Sequence, residues 1–322
     1  MTTIRRIFLT ASMLLILGSY GNHTRADLTK TEFTTNKNII TAMTFNIRVD
    51  TFIDGWNGWD FRKDKAVLMI TNNSPDILGL QEALNNQVEH IQGSLPQYDS
   101  YAVGRSNGLK KGEACAILYK KDRFIKLDCG TFWFSDTPNV PGSKDWGNFP
   151  PRICSWIELF DRQTATAFYV YNLHLDNLSQ NSREKSVRLL TKKIAANSPD
   201  KPFIVMGDFN MEATNPAMKY MQNSEGPQMV DTWTAENVTQ SGMGTRHDFS
   251  GRTIGPRIDH IRISPNLSAK DIKIDTRKID GRYPSDHFPV IAKIELADIS
   301  QVALRNSENG AATTQESEYM LP

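Results

Sequence analysis

The sequence predicts an α+β fold in which two mainly antiparallel sheets pack face to face with helices outside. Three observations carry that expectation. Many short runs are rich in β-branched and aromatic residues, the composition of strands. Only a few segments carry a helical period. No linker divides the body into separate domains.

Composition sets the outer bounds. The chain has 322 residues, which allows one large domain or two ordinary ones. Hydrophobic residues make up 39% and charged residues 23%, enough apolar side chain for a proper core. That mix excludes a collagen-like, coiled-coil or wholly disordered chain. Lys+Arg is 37 and Asp+Glu is 36, a formal net charge of +1. This balance lacks the electrostatic footprint of a dedicated nucleic-acid binder.

In chain order, residues 1–26 read as an export signal. Arg5 and Arg6 form a positive start, Ile7 to Leu17 is a short apolar stretch, and cleavage is expected after Ala26. A retained membrane anchor is the alternative, but the apolar stretch is short for a span. Arg5-Arg6-Ile7-Phe8-Leu9 also resembles a twin-arginine signal. Losing Arg5, Arg6 and Arg25 with no acid leaves the mature chain slightly acidic. Such a chain has no global attraction for polyanions.

Residues 27–38 are polar and read as an irregular lead-in. Strands are expected at Ile39–Val49, Ile77–Leu80, Glu113–Tyr119, Lys126–Phe134, Ile153–Phe160, Thr166–Leu175, Phe203–Gly207, Ile258–Ile263, Ala269–Asp275 and Phe288–Leu296. Helices are expected at 62–73, 84–95 and 181–196, with a shorter one near Asn215-Pro216. Leu84, Val88, Ile91 and Leu95 share one face of the second. Ser74-Pro75 stops the first, and Ser198-Pro199 follows the third. The polar loops 135–151 and 235–257 are long enough to suggest function. Residues 305–322 read as a disordered tail.

The three cysteines, Cys115, Cys129 and Cys154, are no disulfide framework and no zinc site. If Lys121-Asp122-Arg123 turns a hairpin, Cys115 would oppose Cys129 and a cross-strand disulfide could form. Buried free thiols are the other reading.

The chemistry clusters at strand ends. Asn46, Gln81-Glu82, His174 and Asp208-Phe209-Asn210 end four strands. Asp259-His260 opens another, and Asp286-His287 precedes the last. Facing sheets would bring these ends to one rim. Such a set is rich in carboxylate, amide and imidazole, and its oxygen donors suit a hard cation such as Mg2+ or Mn2+. Glu82 and Asp286 could hold it, Asn46 and Asn210 could orient phosphate oxygens, and His174 and His287 could do acid–base work. Singly, an Asp or Asn at a strand end is most often a turn residue; the weight comes from all of them in order.

Asn46, Leu80-Gln81-Glu82, His174-Leu175-Asp176, Gly207-Asp208-Phe209-Asn210, Arg257-Ile258-Asp259-His260 and Ser285-Asp286-His287-Phe288-Pro289-Val290 resemble the motif series of the endonuclease/exonuclease/phosphatase superfamily. The resemblance covers roughly residues 39–296. It implies a four-layer α/β/β/α sandwich and divalent-metal-dependent hydrolysis of phosphate esters. It makes Glu82 the chief metal ligand, completed by Asn46 and Asp286. Asp208 would position or deprotonate the attacking water, and Asn210 would bind the phosphate. His287, oriented by Asp259, would contact the scissile phosphate or move a proton, and His174 would contact a phosphate oxygen or assist the leaving group.

For the substrate, Trp56 and Trp59 follow the first motif strand and could stack on a sugar, base or headgroup; pinning a loop is the other reading. Arg105, Lys110, Lys111 and Arg152 could each grip a phosphate, Arg152 with a bidentate fork. No basic stripe suits a duplex. A phosphorylated small molecule is therefore the expected substrate, as a monoester or phosphodiester. An exported nuclease is the alternative, and a non-catalytic binding module of the same fold the alternative from another class. No amphipathic segment suits membrane contact, which ranks a lipid phosphodiesterase lower and leaves no stable membrane association once the signal is removed.

Overall fold

The computed structural model describes residues 38–223, 226–233 and 242–296. The expected export signal, most of the lead-in and the expected tail lie outside the described residues. No helix among the described residues is long and apolar enough to cross a membrane.

The strands are β1 (Ile39–Asn46), β2 (Ile77–Ala83), β3 (Tyr98–Tyr101), β4 (Ala114–Lys120), β5 (Phe124–Trp133), β6 (Ile153–Asp161), β7 (Thr166–His174), β8 (Phe203–Asp208), β9 (Val230–Asp231), β10 (Asp259–Ile263), β11 (Ser268–Ile274) and β12 (Val290–Glu295). The helices are α1 (Trp59–Asn73), α2 (Asn85–Ser94), α3 (Gln180–Asn197) and α4 (Pro216–Asn223). A 3-10 segment, Phe52–Asn57, precedes α1.

The strands form two six-stranded mixed sheets, ordered β11-β12-β1-β2-β4-β3 and β5-β6-β7-β8-β10-β9. Each sheet has a parallel pair at its centre, β1 with β2 and β7 with β8, flanked by antiparallel neighbours. Strands covered on both faces read as near-continuous apolar runs, and these do over most of their length, up to the polar Thr44, Gln81 and Asn172 toward one end. Ile40, Ala42, Ile77, Ile117, Ile204 and Met206 fill the core between the sheets. Their neighbours Met43, Phe45, Leu78, Ala116 and Leu118 face outward, onto Ala66, Met69 and Ile70 of α1 and Val88 and Ile91 of α2. Tyr171, Leu173 and Val205 face α3 and α4 through Val187, Leu190, Ile194, Met218 and Met221. The layers are therefore α/β/β/α.

Helix boundaries follow local chemistry. Ser74 ends α1 in the left-handed conformation, and Pro75 prevents continuation. The Ser179 hydroxyl caps α3 by accepting from the Ser182 amide. The Asn215 side chain accepts from the Ala217 amide at the start of α4.

One expectation fails. β4 and β5 do not form a hairpin: β4 pairs with β2 and β3, while β5 pairs only with β6 in the other sheet. Lys121-Asp122-Arg123 lacks the glycine or asparagine that a tight hairpin requires. Instead it carries the chain between layers. Arg123 ties that crossing down, its guanidinium bonded to Asp161 at 2.7 Å and to Asp76 at 3.2 Å. Cys115 and Cys129 thus sit in different sheets, and all three cysteines are free thiols. The first strand also ends at Asn46, three residues earlier than expected, and the short β3 and β9 carry too little apolar pattern to stand out.

Beneath one end of the sandwich lies a buried polar layer. Gln81 Nε2 donates to Asn172 Oδ1 at 2.7 Å and to Thr44 Oγ1 at 3.0 Å. Asn172 Nδ2 donates to the Leu80 and Ala116 carbonyls. The sheets approach closely there, and a Cβ on Gly79 would lie 2.8 Å from Met206 Sδ and 2.9 Å from Asn172 Cγ. Only glycine fits.

Candidate active site

The parallel pairs bring chemistry to this end, because their C-terminal ends lie on the same rim. Asn46 closes β1 and Glu82 lies near the end of β2. His174 closes β7, Asp208 closes β8, and Asn210 follows. Asp259 opens β10 directly opposite Asp208, and Asp286 and His287 lie just before β12.

Local backbone features aim these side chains. The β2–β4 register shifts between Leu80 and Ala83, and Glu82 sits in that irregularity at φ 60°. Such a bulge re-aims a side chain that regular pleating would send elsewhere. Asn210 and Arg48 also adopt left-handed conformations, at φ 51° and 58°. Three non-glycine residues held this way around one site store strain that surrounding contacts must fix.

Asn46 bonds both within its own sheet, to Glu82, and across the rim to Asp208 on the other. Asn46 Nδ2 donates to Glu82 Oε1 and to Asp208 Oδ2, both at 3.1 Å. His287 Nδ1 lies 2.9 Å from Asp259 Oδ2, with both residues buried. Thr245 Oγ1 accepts from the Ile258 and Asp259 amides at 3.1 Å, which anchors the start of β10. His174 Nε2 is 3.6 Å from Asp208 Oδ2, and its buried Nδ1 has no hydrogen-bond partner among the described residues.

The electrostatics separate the groups. Burial opposes charge on His287, but Asp259, Asp208 and Asp286 outweigh it and raise the imidazole to about 10. His287 is thus a cation at neutral pH. Burial, reinforced by Arg152 and Arg105, pushes His174 well below its ordinary value, so it is neutral. Burial and the nearby Asp259 raise Asp208. Burial would raise Glu82 too, but the Val49 amide, Asn46, His287 and Arg48 hold it below the usual carboxylate range. Burial and the facing Glu82 charge raise Asp286.

The donor set fits a hard cation. Glu82 and Asp286 repel one another. Among the described residues, the Asp286 carboxylate has only Ser285 Oγ at 3.2 Å and the Arg48 guanidinium at 4.0 Å. A divalent ion between two such oxygens removes that conflict. Asn46 presents its NH2 to the carboxylates, while its Oδ1 accepts from the Arg48 amide. Asp208, Asp259 and His287 also offer ligand atoms within 4.8 Å of one another, and Asp259 Oδ1 is buried without a partner.

These side chains line a pocket of about 320 Å³. Glu82, His174, Asp208, Asn210, Asp286 and His287 reach it, as does Arg152. Arg152 is buried and held by Asp176 Oδ2 at 3.4 Å and Asn177 Oδ1 at 3.0 Å. Arg105 reaches it too, paired with Glu113. Asn46 and Asp259 sit one bond network behind. Trp56 and Trp59 do not line this pocket. Trp59 is buried at the start of α1 against His90 and Arg62. Trp56 is 74% exposed beside a neighbouring cleft.

Sequence reasoning passed over Arg48 and Arg246, which also line the pocket. Arg48 stands two residues after Asn46, and its bidentate pair with Asp54 at 2.8 and 2.9 Å is a loop contact without periodicity. The run Thr245-Arg246-His247-Asp248 within a long polar loop was the available signal for Arg246. Arg62 also escaped notice. Its buried guanidinium donates to the carbonyls of Asn57, Ile47, Arg48, Val49 and Pro284, tying the segment after β1 to the one carrying Asp286.

Fold and site together define a hydrolase acting on phosphoester bonds. Residues 43–287 match the Endonuclease/Exonuclease/phosphatase family, and the chain belongs to it. A solved family protein from Bacteroides vulgatus is similar at 31% identity and TM-score 0.73, covering 80% of this chain and 99% of that one. A mannosyl-6-phosphatase from Bacteroides thetaiotaomicron is similar at 31% identity and TM-score 0.72, covering 80% of this chain and all of that one. An uncharacterised protein of Acanthamoeba polyphaga mimivirus is 28% identical over 251 residues, 74% of this chain and 92% of that one.

Proposed function

We propose that this protein removes phosphate from a phosphorylated sugar by attack of an activated water. The carrying observation is the pocket itself. About 320 Å³ suits a compact ester, and it gathers Arg105, Arg152, His174, Asn210 and His287 around the carboxylates of Glu82, Asp208 and Asp286, with Glu113 paired to Arg105. The similarity to a mannosyl-6-phosphatase over the whole of that chain points the same way.

Glu82 and Asp286 would hold Mg2+ or Mn2+, with Asn46 joining them if its amide turns. When bound, the ion neutralises phosphate charge and polarises the ester. Asp208, raised toward the working pH, accepts the proton of the attacking water. The His287 imidazolium, fixed by Asp259, donates to a phosphate oxygen through its free Nε2. Asn210 and neutral His174 supply further donors at positions already set by the fold, so little reorganises during reaction. Arg152, braced by Asp176 and Asn177, would turn its remaining guanidinium N–H groups to a phosphate oxygen. Export through the residue 1–26 signal belongs to the same proposal, as a phosphatase acting outside the cytoplasm.

Purified protein tested against hexose 6-phosphates, nucleotides, oligonucleotides and sphingomyelin, with and without EDTA, separates the readings. Metal-dependent phosphate release from sugar phosphates is expected to dominate. Faster cleavage of oligonucleotides would replace this reading with a nuclease.

A further inference from the structure

Beside the catalytic pocket lies a second, larger cleft of about 480 Å³ that the hydrolysis does not use. Trp56, Phe249 and Tyr283 line it, with Asn57, Ser250, Lys278 and Arg282. Among the described residues, no carboxylate lines it. Trp56 is 74% exposed, with Phe61 at 5.1 Å, and its neighbours Phe52 and Ile53 are exposed as well. An indole left in water at the edge of an active site is a costly arrangement unless something covers it.

Three chain segments line both depressions. Arg48 and Val49 face the catalytic pocket, and Trp56 and Asn57 face the cleft. Arg246 faces the pocket, and Phe249 and Ser250 the cleft. Asp286 and His287 face the pocket, and Gly281, Arg282 and Tyr283 the cleft. The bidentate Arg48–Asp54 pair anchors the Trp56 segment directly to a pocket residue. Arg62 donates to the carbonyl of Asn57, beside the cleft, and to those of Arg48 and Val49, beside the pocket, so the two depressions lie next to one another.

Its polar groups are already placed. Arg282 Nη1 donates to the Trp56 carbonyl at 3.1 Å, and Lys278 Nζ lies 5.0 Å from the Tyr283 ring centre. Asp248 and Phe249 form a turn with both residues left-handed, at φ 49° and 61°, a conformation rare for a bulky side chain. That turn sets Phe249 at the cleft.

We infer that this cleft is a second sugar subsite, so that the substrate is a phosphorylated oligosaccharide in place of a lone sugar phosphate. The inference rests on the phosphatase reading for what happens in the adjoining pocket. A pyranose presents axial C–H bonds on one face, and these pack on the electron-rich face of an indole. Its hydroxyl edge needs donors and acceptors, which Asn57, Ser250, Lys278 and Arg282 supply. A nucleic-acid strand would need several cations for successive phosphates; the cleft offers two, Lys278 and Arg282.

The test compares a hexose 6-phosphate with a disaccharide bearing the same phosphate, on wild type and Trp56→Ala. Wild type is expected to prefer the disaccharide in kcat/KM. Trp56→Ala should cut that preference about tenfold, the scale of one aromatic contact. An unchanged ratio overturns the subsite. A dinucleotide whose cleavage is the step most impaired by Trp56→Ala also overturns it, in favour of base stacking. If neither sugar phosphate is hydrolysed, the phosphatase reading fails by itself. The subsite is then judged by tryptophan fluorescence: saturable quenching by the disaccharide phosphate, lost in Trp56→Ala, supports it, and no quenching overturns it.

Discussion

The two sheets are wired alike, yet they bring different chemistry to the rim. Each has one central parallel pair between antiparallel neighbours. The first sheet ends in Asn46 and Glu82 and is followed into β12 by Asp286 and His287. The second ends in His174 and Asp208 and begins a strand with Asp259. In the proposed reading Glu82 and Asp286 of the first sheet would hold the cation and Asp208 and Asp259 of the second would handle water and protons, although Asp208 and Asp259 also bring ligand atoms close to His287. Parallel pairing explains where the side chains gather. It does not explain what they are, because any residue at a strand end would reach the same rim.

This division can be broken from either side, and the largest effect should come from the cation side. Glu82→Ala removes the carboxylate that neighbouring amides already hold charged. Turnover of a sugar phosphate with saturating Mg2+ should fall by about three orders of magnitude or more. The melting temperature should stay near wild type, since Glu82 is only partly buried. Near-normal turnover would show that the first sheet does not hold the ion.

The bond between the sheets comes next. Asp259→Asn keeps the shape of the side chain but removes the charge that raises His287. The imidazole then loses the largest of the charges that raise it, although Asp208 and Asp286 remain. Turnover should fall by about two orders of magnitude, within the range for loss of an oriented donor. KM should change little. An equal loss in KM alone would make the pair a binding device.

Much of this rim was legible in the sequence, for a physical reason. Strands buried on both faces read as near-continuous apolar runs, so a polar residue at the end of such a run stands out. Asn46, Glu82, His174 and Asp208 lie where an apolar run stops, and His287 where one begins. Strand partners were not legible, because doubly apolar runs carry no face pattern to fix a register. That is why β4 and β5 read as a hairpin although they belong to different sheets. Nor was the bulge at Glu82 legible, or the role of Arg62. A lone arginine in a helical pattern reads as solvated surface, and only the folded loops show that it is buried.

Arg62 has a counterpart that sharpens the comparison. Arg62 and Arg262 are the two largest fully buried side chains among the described residues. Arg62, on α1, is surrounded by carbonyls and fastens two segments of the site; burial lowers it to about 10, so it stays charged at neutral pH. Arg262, on β10, donates to the Met229 carbonyl at 2.7 Å and faces Asp231 at 3.6 Å, away from the pocket. Arg62→Lys replaces a planar fork with one ammonium that cannot serve five carbonyls. It should lower kcat about tenfold through displaced loops. Arg262→Lys should lower the unfolding midpoint and leave kcat unchanged. If both variants lose only stability, the carbonyl cage is not a positioning device.

The smallest effect on activity, and the clearest on pH, belongs to Asp231. Burial would raise this carboxyl, but His260, Arg257 and Arg262 outweigh it and hold it well below the ordinary value. A carboxyl lower in the folded state than in the unfolded state stabilises the fold at neutral pH. Its contribution is complete above the unfolded value of about 4, and it is lost as pH falls toward the folded value. Asp231→Asn leaves Arg257 and Arg262 without their anion, and should cost about 3 kcal/mol at pH 7. Between about pH 4 and pH 2 the wild type should lose stability more steeply than the variant, because only the wild type has this proton to take up. Parallel urea-unfolding midpoints over that interval would remove Asp231 from the acid response. Because Asp231, Arg257, His260 and Arg262 do not line the pocket, kcat at pH 7 should match wild type wherever the variant is folded.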